Sequence, residues 1–164
     1  MNTTFHRHCR DVPKSAWRWP NFSPPEIACR GTGKLLVNEP ALDELQALRD
    51  RLGKPLIVRS AYRSPEHNRA VGGATRSKRL DGAAFDITMA NHDPVAFEAA
   101  AREVGFIRFG FYPRSGFIHV DLASPNVLRP RRRSMMSNAG CWKRRRAALV
   151  IATSFFQRLH DGEF

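Results

Sequence analysis

Two short apolar segments carry the polar side chains whose types and spacing suit metal chemistry. In FIHVDL, at 117–122, alternate residues of a strand face opposite sides, so His119 and Asp121 share one face. The same alternation in AAFDI, at 83–87, places Asp86 away from its apolar neighbours. If these strands are neighbours, Asp86 and His119 face one cleft, which is a start for a zinc site with its usual three protein ligands. A single polar side chain on a strand is also commonly just solvated, and the spacing alone leaves that alternative open.

The elements that must position these residues follow from helix caps, apolar periodicity and turn residues. In chain order they are a helix over 38–52, a strand over 56–60, a short helix after Ser64, a strand over 83–87, a helix over 93–105 and a hairpin over 106–122. This order predicts an α+β domain with a small, mainly antiparallel sheet and flanking helices.

The composition divides the chain into three parts. Residues 1–34 are rich in Pro and Trp and predict an irregular lead-in, and residues 35–122 predict the folded domain. Residues 123–164 form a basic tail, which we expect to be poorly ordered or aberrant, either a native tail or a frameshifted ending. No run of 18 apolar residues predicts a transmembrane segment.

The chain is strongly basic, and its charge is unevenly distributed. The net charge is +12, and residues 123–164 hold 9 of the 27 Lys and Arg but only 2 of the 15 Asp and Glu. Such an excess favours nonspecific contact with polyanions, among them nucleic acid, anionic lipid and anionic wall polymers. A solvated basic tail without a partner is the alternative. Three cysteines without paired spacing argue against a disulfide scaffold.

A longer pattern resembles a known family. VRSAYRSPEHNRAVGGATRSKRLDGAAFDI, followed by GFIHVDL, is similar to the zinc D-Ala-D-Ala carboxypeptidases and murein endopeptidases (peptidase family M15, subfamily A), which share their fold with the Hedgehog signalling domain. The resemblance covers 22–122. It rests on a tyrosine–arginine–serine turn, then a serine, a glycine and an aspartate at fixed spacing, and a final histidine–x–aspartate.

The resemblance implies roles for five residues. Asp86 and His119 correspond to zinc ligands, and Ser77 to the serine that contacts the substrate near the metal. Arg63 corresponds to the arginine that steadies the bound carbonyl or carboxylate, a role that suits a fixed cationic fork. Tyr62, in the same turn, is assigned to substrate binding.

The acidic general base of the family does not transfer, because its position is occupied here by Gly116. We assign the role to Asp121 instead, either as the base or as a partner that orients His119.

The main departure from the family is at position 79, where the first histidine ligand is replaced by Arg79. Arginine stays protonated and has no lone pair for a metal. It also places a positive charge within reach of Asp86, so we expect zinc binding to be weak or absent. His67 and His92 are candidates to replace the missing ligand, but we expect both to be surface histidines.

Three functions follow. The first is a zinc peptidase that hydrolyses the stem peptides of peptidoglycan, and the second is an impaired relative that only binds those peptides. The third is a nucleic-acid or membrane-surface binder that acts through the basic tail. The N-terminal residues contain no apolar stretch typical of a secretory signal. We therefore expect a cytoplasmic pool until release, or delivery to the wall by a lysis partner.

Overall fold

The computed structural model describes residues 3–122. In chain order its elements are β1 (Thr3–His6), α1 (Pro24–Ile27), β2 (Leu35–Asn38), α2 (Glu39–Leu52), β3 (Val58–Ser60), α3 (Pro65–Ala70), β4 (Ala84–Thr88), α4 (Pro94–Glu103), β5 (Arg108–Tyr112) and β6 (Phe117–Asp121). The predicted α+β class with small antiparallel sheets is confirmed. The predicted basic tail lies outside the described residues.

The central sheet has four antiparallel strands in the order β3–β4–β6–β5. Its two faces differ because side chains alternate along each strand. One face is apolar and buried, with Phe85, Ile87, Ile118 and Val120 among its members. The other face carries the polar members of β4 and β6, and we call it the cleft face. Hydrophobic burial on one side therefore fixes which side chains reach the other.

Helix α2 forms as its sequence predicts. Asn38 caps it by accepting a hydrogen bond from the backbone N–H of Ala41 at 3.3 Å, and Gly53 ends it in the left-handed conformation at φ 61°. Leu42, Leu45 and Leu48 recur at helical spacing and are buried. These leucines thus belong to the main hydrophobic core.

The N-terminal segment contains the strand β1 and the short helix α1. Strand β1 pairs antiparallel with β2, with Thr3 opposite Asn38. Trp19 and Phe22 are buried in the main core, and the indole N–H of Trp19 donates to Asp43 at 2.8 Å. The segment therefore packs as part of the same hydrophobic core. Over the described residues, no helix combines the length and hydrophobicity needed to span a bilayer.

Candidate active-site cleft

Asp86 and His119 are direct cross-strand partners on the cleft face. β4 and β6 pair in a register that sets Asp86 opposite His119 and Ala84 opposite Asp121. The distance between His119 Nδ1 and Asp86 Oδ1 is 2.7 Å. His119 Nε2 lies 3.5 Å from Asp121 Oδ2, so the imidazole stands between two carboxylates. The sheet register alone brings the three side chains together.

Arg79 reaches this group from a short 3₁₀ turn, Lys78–Asp81. The Ser77 hydroxyl caps the turn by accepting from the Arg79 backbone N–H at 3.4 Å, and Gly82 ends it at φ 63°. Arg79 Nη2 lies 2.6 Å from Asp86 Oδ1 and 2.5 Å from Oδ2, and 3.3 Å from His119 Nδ1. The guanidinium therefore occupies the corner between the side chains of Asp86 and His119.

The arrangement of Arg79, Asp86 and His119 does not fit a zinc ion. Tetrahedral ligands about 2.0–2.1 Å from zinc lie roughly 3.4 Å from one another. Asp86 Oδ1 and His119 Nδ1 are 2.7 Å apart, which is a hydrogen-bond distance, and Arg79 places a cation against both. Across residues 3–122, no three His, Cys, Asp or Glu side chains are grouped to hold a metal.

The pKa of His119 reflects its two carboxylate neighbours. Burial lowers the pKa of His119, but its contacts with Asp121 and Asp86 outweigh that effect and raise the pKa above its ordinary value. Both ring nitrogens face a carboxylate, Nδ1 towards Asp86 and Nε2 towards Asp121.

Arg63 lies beside Arg79 because a backbone hydrogen bond links the two residues. The Arg63 N–H donates to the Arg79 carbonyl at 3.0 Å, and the N–H of the buried Tyr62 donates to the Ile27 carbonyl at 3.1 Å. Burial, and then the charge of Arg79, lower the pKa of Arg63. Within the described part of the chain, the Arg63 side chain forms no ion pair. Its charge interacts with Asp86 at longer range, which opposes the lowering of its pKa.

Two polar atoms of the cleft are buried without a hydrogen-bond partner among the described residues. They are Arg79 Nε, a donor, and Asp121 Oδ1, an acceptor. Buried polar atoms are normally paired, because an unpaired one costs about 1–3 kcal/mol. A donor and an acceptor left in one cleft suit a ligand that carries both groups, as a peptide bond does.

The two histidines considered as substitute ligands have other partners. His67 Nδ1 is 3.2 Å from the sulfur of Cys29. His92 Nε2 is 3.0 Å from the Pro55 carbonyl, and its ring contacts Phe97. Among residues 3–122, neither histidine forms a group of three possible metal ligands with Asp86.

Sequence reasoning overlooked one group on the cleft face. Phe117 stacks on Tyr112 with ring centres 4.6 Å apart, and the guanidinium of Arg59 lies over the Phe117 ring at 5.3 Å. The sequence could have indicated Phe117, because the alternation of side chains along β6 puts Phe117 on the same face as His119. The contribution of Arg59 depends on strand order, which the residue pattern of β3 does not specify.

Comparison with known protein families places most of the described domain in one family model. A family model described as Peptidase M15 matches residues 20–121, which is more than half of the chain. The match includes the turn of Arg79 and both strands that carry Asp86 and His119. No curated protein is similar enough to this chain to count as a relative.

Proposed function

Because the chain belongs to the peptidase M15 family, in which zinc dependence is general, we propose that it is a metallopeptidase-like protein whose cleft binds peptidoglycan stem peptides. In this proposal the guanidinium of Arg79 stands where the family has a metal ligand, and it supplies the positive charge of the cleft. Binding of the peptide, rather than zinc-dependent hydrolysis, is the activity of the chain.

The observation that carries the proposal is the contact between Arg79 and Asp86. One nitrogen of the guanidinium contacts both carboxylate oxygens, at 2.6 Å and 2.5 Å. A charge-assisted contact between two largely buried groups is hard to displace, because a free cation would have to be dehydrated to compete with it. The contact therefore favours a cleft that stays closed to a metal.

Recognition of a peptide would use the groups that have no partner within the cleft. Arg63 offers a guanidinium fork to a carbonyl or carboxylate oxygen. Arg79 Nε–H is a further donor, and Asp121 Oδ1 can accept a hydrogen bond from a peptide N–H. A peptide that forms hydrogen bonds with all three groups would give partners to the two buried atoms that lack them. This pairing contributes favourably to the free energy of binding.

The cleft is less suited to hydrolysis of a peptide than to its recognition. A guanidinium can polarise a carbonyl by hydrogen bonding, but it does not lower the pKa of a water molecule as a bound zinc ion does. Asp121 and His119 could hold a water by hydrogen bonds, yet both ring nitrogens of His119 already face carboxylates, Nδ1 at 2.7 Å from Asp86 and Nε2 at 3.5 Å from Asp121. We therefore expect the wild type to bind stem peptides and to cleave them poorly.

The test compares the wild type with Arg79→His. Binding of a synthetic stem peptide is measured by calorimetry, and zinc content and peptide cleavage are measured after metal removal and reloading. We expect the wild type to bind peptide without zinc, and Arg63→Ala to weaken that binding about tenfold or more. Stoichiometric zinc and cleavage by the wild type at the level of Arg79→His would establish the zinc peptidase instead.

The basic segment at 123–164 supports a second candidate, a polyanion-binding function. Its excess of seven positive charges, 9 Lys and Arg against 2 Asp and Glu, is large for its length. Salt-sensitive binding of DNA or anionic vesicles should disappear when 123–164 are deleted. Unchanged binding after the deletion would remove this function.

A further inference from the structure

The side chain of Arg63 borders an exposed stretch, residues 71–76, which follows helix α3 and which we call the 71–76 segment. None of its residues is buried, and Val71 is 52% exposed. Segments that bury little apolar surface have low local stability, because few packing contacts oppose their motion. The position of the 71–76 segment therefore depends on its hydrogen bonds.

Asn68, on α3, supplies three of these hydrogen bonds. Its side-chain Nδ2 donates to the carbonyls of Gly73 at 3.2 Å and Ala74 at 3.0 Å, and its backbone carbonyl accepts from the Gly73 N–H at 2.8 Å. Asn68 is only 4% exposed, although asparagine is mostly a surface residue. Its own N–H donates to the Ser64 carbonyl at 2.8 Å within the helix. Asn68 thus fastens the 71–76 segment to α3.

The same hydrogen bonds fix the orientation of the Asn68 amide. Because both carbonyls can only accept, the amide nitrogen faces them and the amide oxygen takes the other position. This oxygen, Oδ1, is buried without a hydrogen-bond partner among residues 3–122. A Cβ added at Gly73 would lie 2.1 Å from it, so the oxygen occupies the space beside the Gly73 backbone.

The guanidinium of Arg63 borders the same space. A Cβ at Gly73 would lie 3.0 Å from Arg63 Nη1, which is closer than ordinary van der Waals contact. Arg63 can approach the segment this closely only because residue 73 has no side chain. The Asn68 amide oxygen carries a partial negative charge, which favours a guanidinium nearby.

We propose that Asn68 and Gly73 are positioning residues for Arg63. Asn68 fixes the 71–76 segment, and Gly73 leaves the space in which the guanidinium lies against that segment. Neither residue contacts the peptide in this inference, which rests on the proposed function, because there Arg63 binds a carbonyl or carboxylate of the peptide. A side chain that is already held in place loses less conformational entropy when it binds, and this strengthens the binding.

Gly72 and Gly73 provide a matched pair of variants. The φ of Gly73 is outside the left-handed region, so Gly73→Ala changes the contacts with Asn68 and Arg63 and adds no backbone strain. Gly72 has a φ of 64° and nothing within 4 Å of an added Cβ. Gly72→Ala therefore strains the same segment without contacting either side chain, and it is the control.

The first measurement follows the Arg63 side chain in the full-length protein without ligand, by NMR relaxation of its Nε–H group. We expect the order parameter of this group to fall in Gly73→Ala and Asn68→Ala and to stay unchanged in Gly72→Ala. An unchanged order parameter in either of the first two variants would overturn the inference, and so would an equal fall in Gly72→Ala. Backbone amide spectra check the fold, and Gly73→Ala alone decides the result if Asn68→Ala does not fold.

The second measurement is a double-mutant cycle on binding of a synthetic stem peptide by calorimetry. We expect Gly73→Ala to weaken binding about fivefold in the wild type and to have no further effect in Arg63→Ala, because the two residues act through one contact. Equal weakening in both backgrounds would show a general structural effect and would overturn the inference, as would no weakening in the wild type. If the wild type binds no peptide, the proposed function is contradicted, while the order parameter of Arg63 still decides the positioning role.

Discussion

Arg79 directs one guanidinium nitrogen at both carboxylate oxygens of Asp86, 2.6 Å from Oδ1 and 2.5 Å from Oδ2. Both side chains are mostly covered, with 15% of Arg79 and 8% of Asp86 exposed. The carboxylate also accepts a hydrogen bond from His119. The cleft is thus organised around one acid that is shared by two donors.

Removal of that acid should destabilise the fold. Asp86→Asn leaves Arg79 and His119 facing a neutral amide, and losing one partner of a buried ion pair costs about 3 kcal/mol or more. Urea unfolding measures the change. Asp81→Asn is the matched control, because Asp81 pairs with Lys78 at 3.4 Å on the surface, with 62% of its side chain exposed. We expect the control to cost less than about 1 kcal/mol, and similar losses in both variants would contradict a buried pair.

The substitution Arg79→His should allow the protein to bind zinc. In Arg79→His the competing guanidinium is gone, and Asp86 and His119 can bind a metal together with the new imidazole. We expect about one zinc per chain and a higher melting temperature on zinc addition, because a ligand that binds only the folded state stabilises it. Arg79→Gln is the control that removes the charge without adding a ligand, and an equal response from it would exclude this explanation.

Gly82 should tolerate no side chain. It ends the Arg79 turn at φ 63°, and a Cβ there would lie 2.9 Å from the backbone oxygen of Leu36. We expect Gly82→Ala to lower the free energy of unfolding by about 2 kcal/mol or more, from backbone strain and this contact. Gly72 has a similar φ of 64° with open space around it, so Gly72→Ala measures the strain alone. Equal losses would show that the contact with Leu36 adds nothing.

The Cys29 thiol should make stability depend on pH. Burial alone raises the pKa of Cys29, but hydrogen bonds led by the Ser64 N–H outweigh it and lower the pKa from 9.0 to about 6. Between these values the unfolded state binds more protons, so the free energy of unfolding rises with pH and the gain is lost as pH falls through about 6. Urea unfolding across this range should give a flatter profile for Cys29→Ala. Parallel profiles would contradict the lowered pKa.

The sequence predicted best those features that depend on neighbours along the chain. The cap at Asn38 and the alternation in β6 are local, and both elements formed as expected. Pairing of β1 with β2 joins segments about thirty residues apart, and no pattern in Thr3–His6 specifies that partner. The order of the strands is equally non-local, and the position of Arg59 over Phe117 depends on it.

In the candidate site, too, local features were predictable from the sequence and non-local features were not. Alternation predicted which face Asp86 and His119 take, and the charge of Arg79 predicted competition for the acid. The 2.7 Å separation of Asp86 and His119 depends on the register of β4 against β6, which the residues do not encode one strand at a time. The roles assigned to Ser77 and Tyr62 stay predictions.

The positive charge in this cleft is covalently part of the chain. A metal centre has to be filled from solution, so its loading varies with supply and with every chelator nearby. Arg79 is supplied by protein synthesis itself and is positioned by the Lys78–Asp81 turn. The wild-type cleft should therefore be complete in metal-starved surroundings, where a zinc-dependent cleft would be empty.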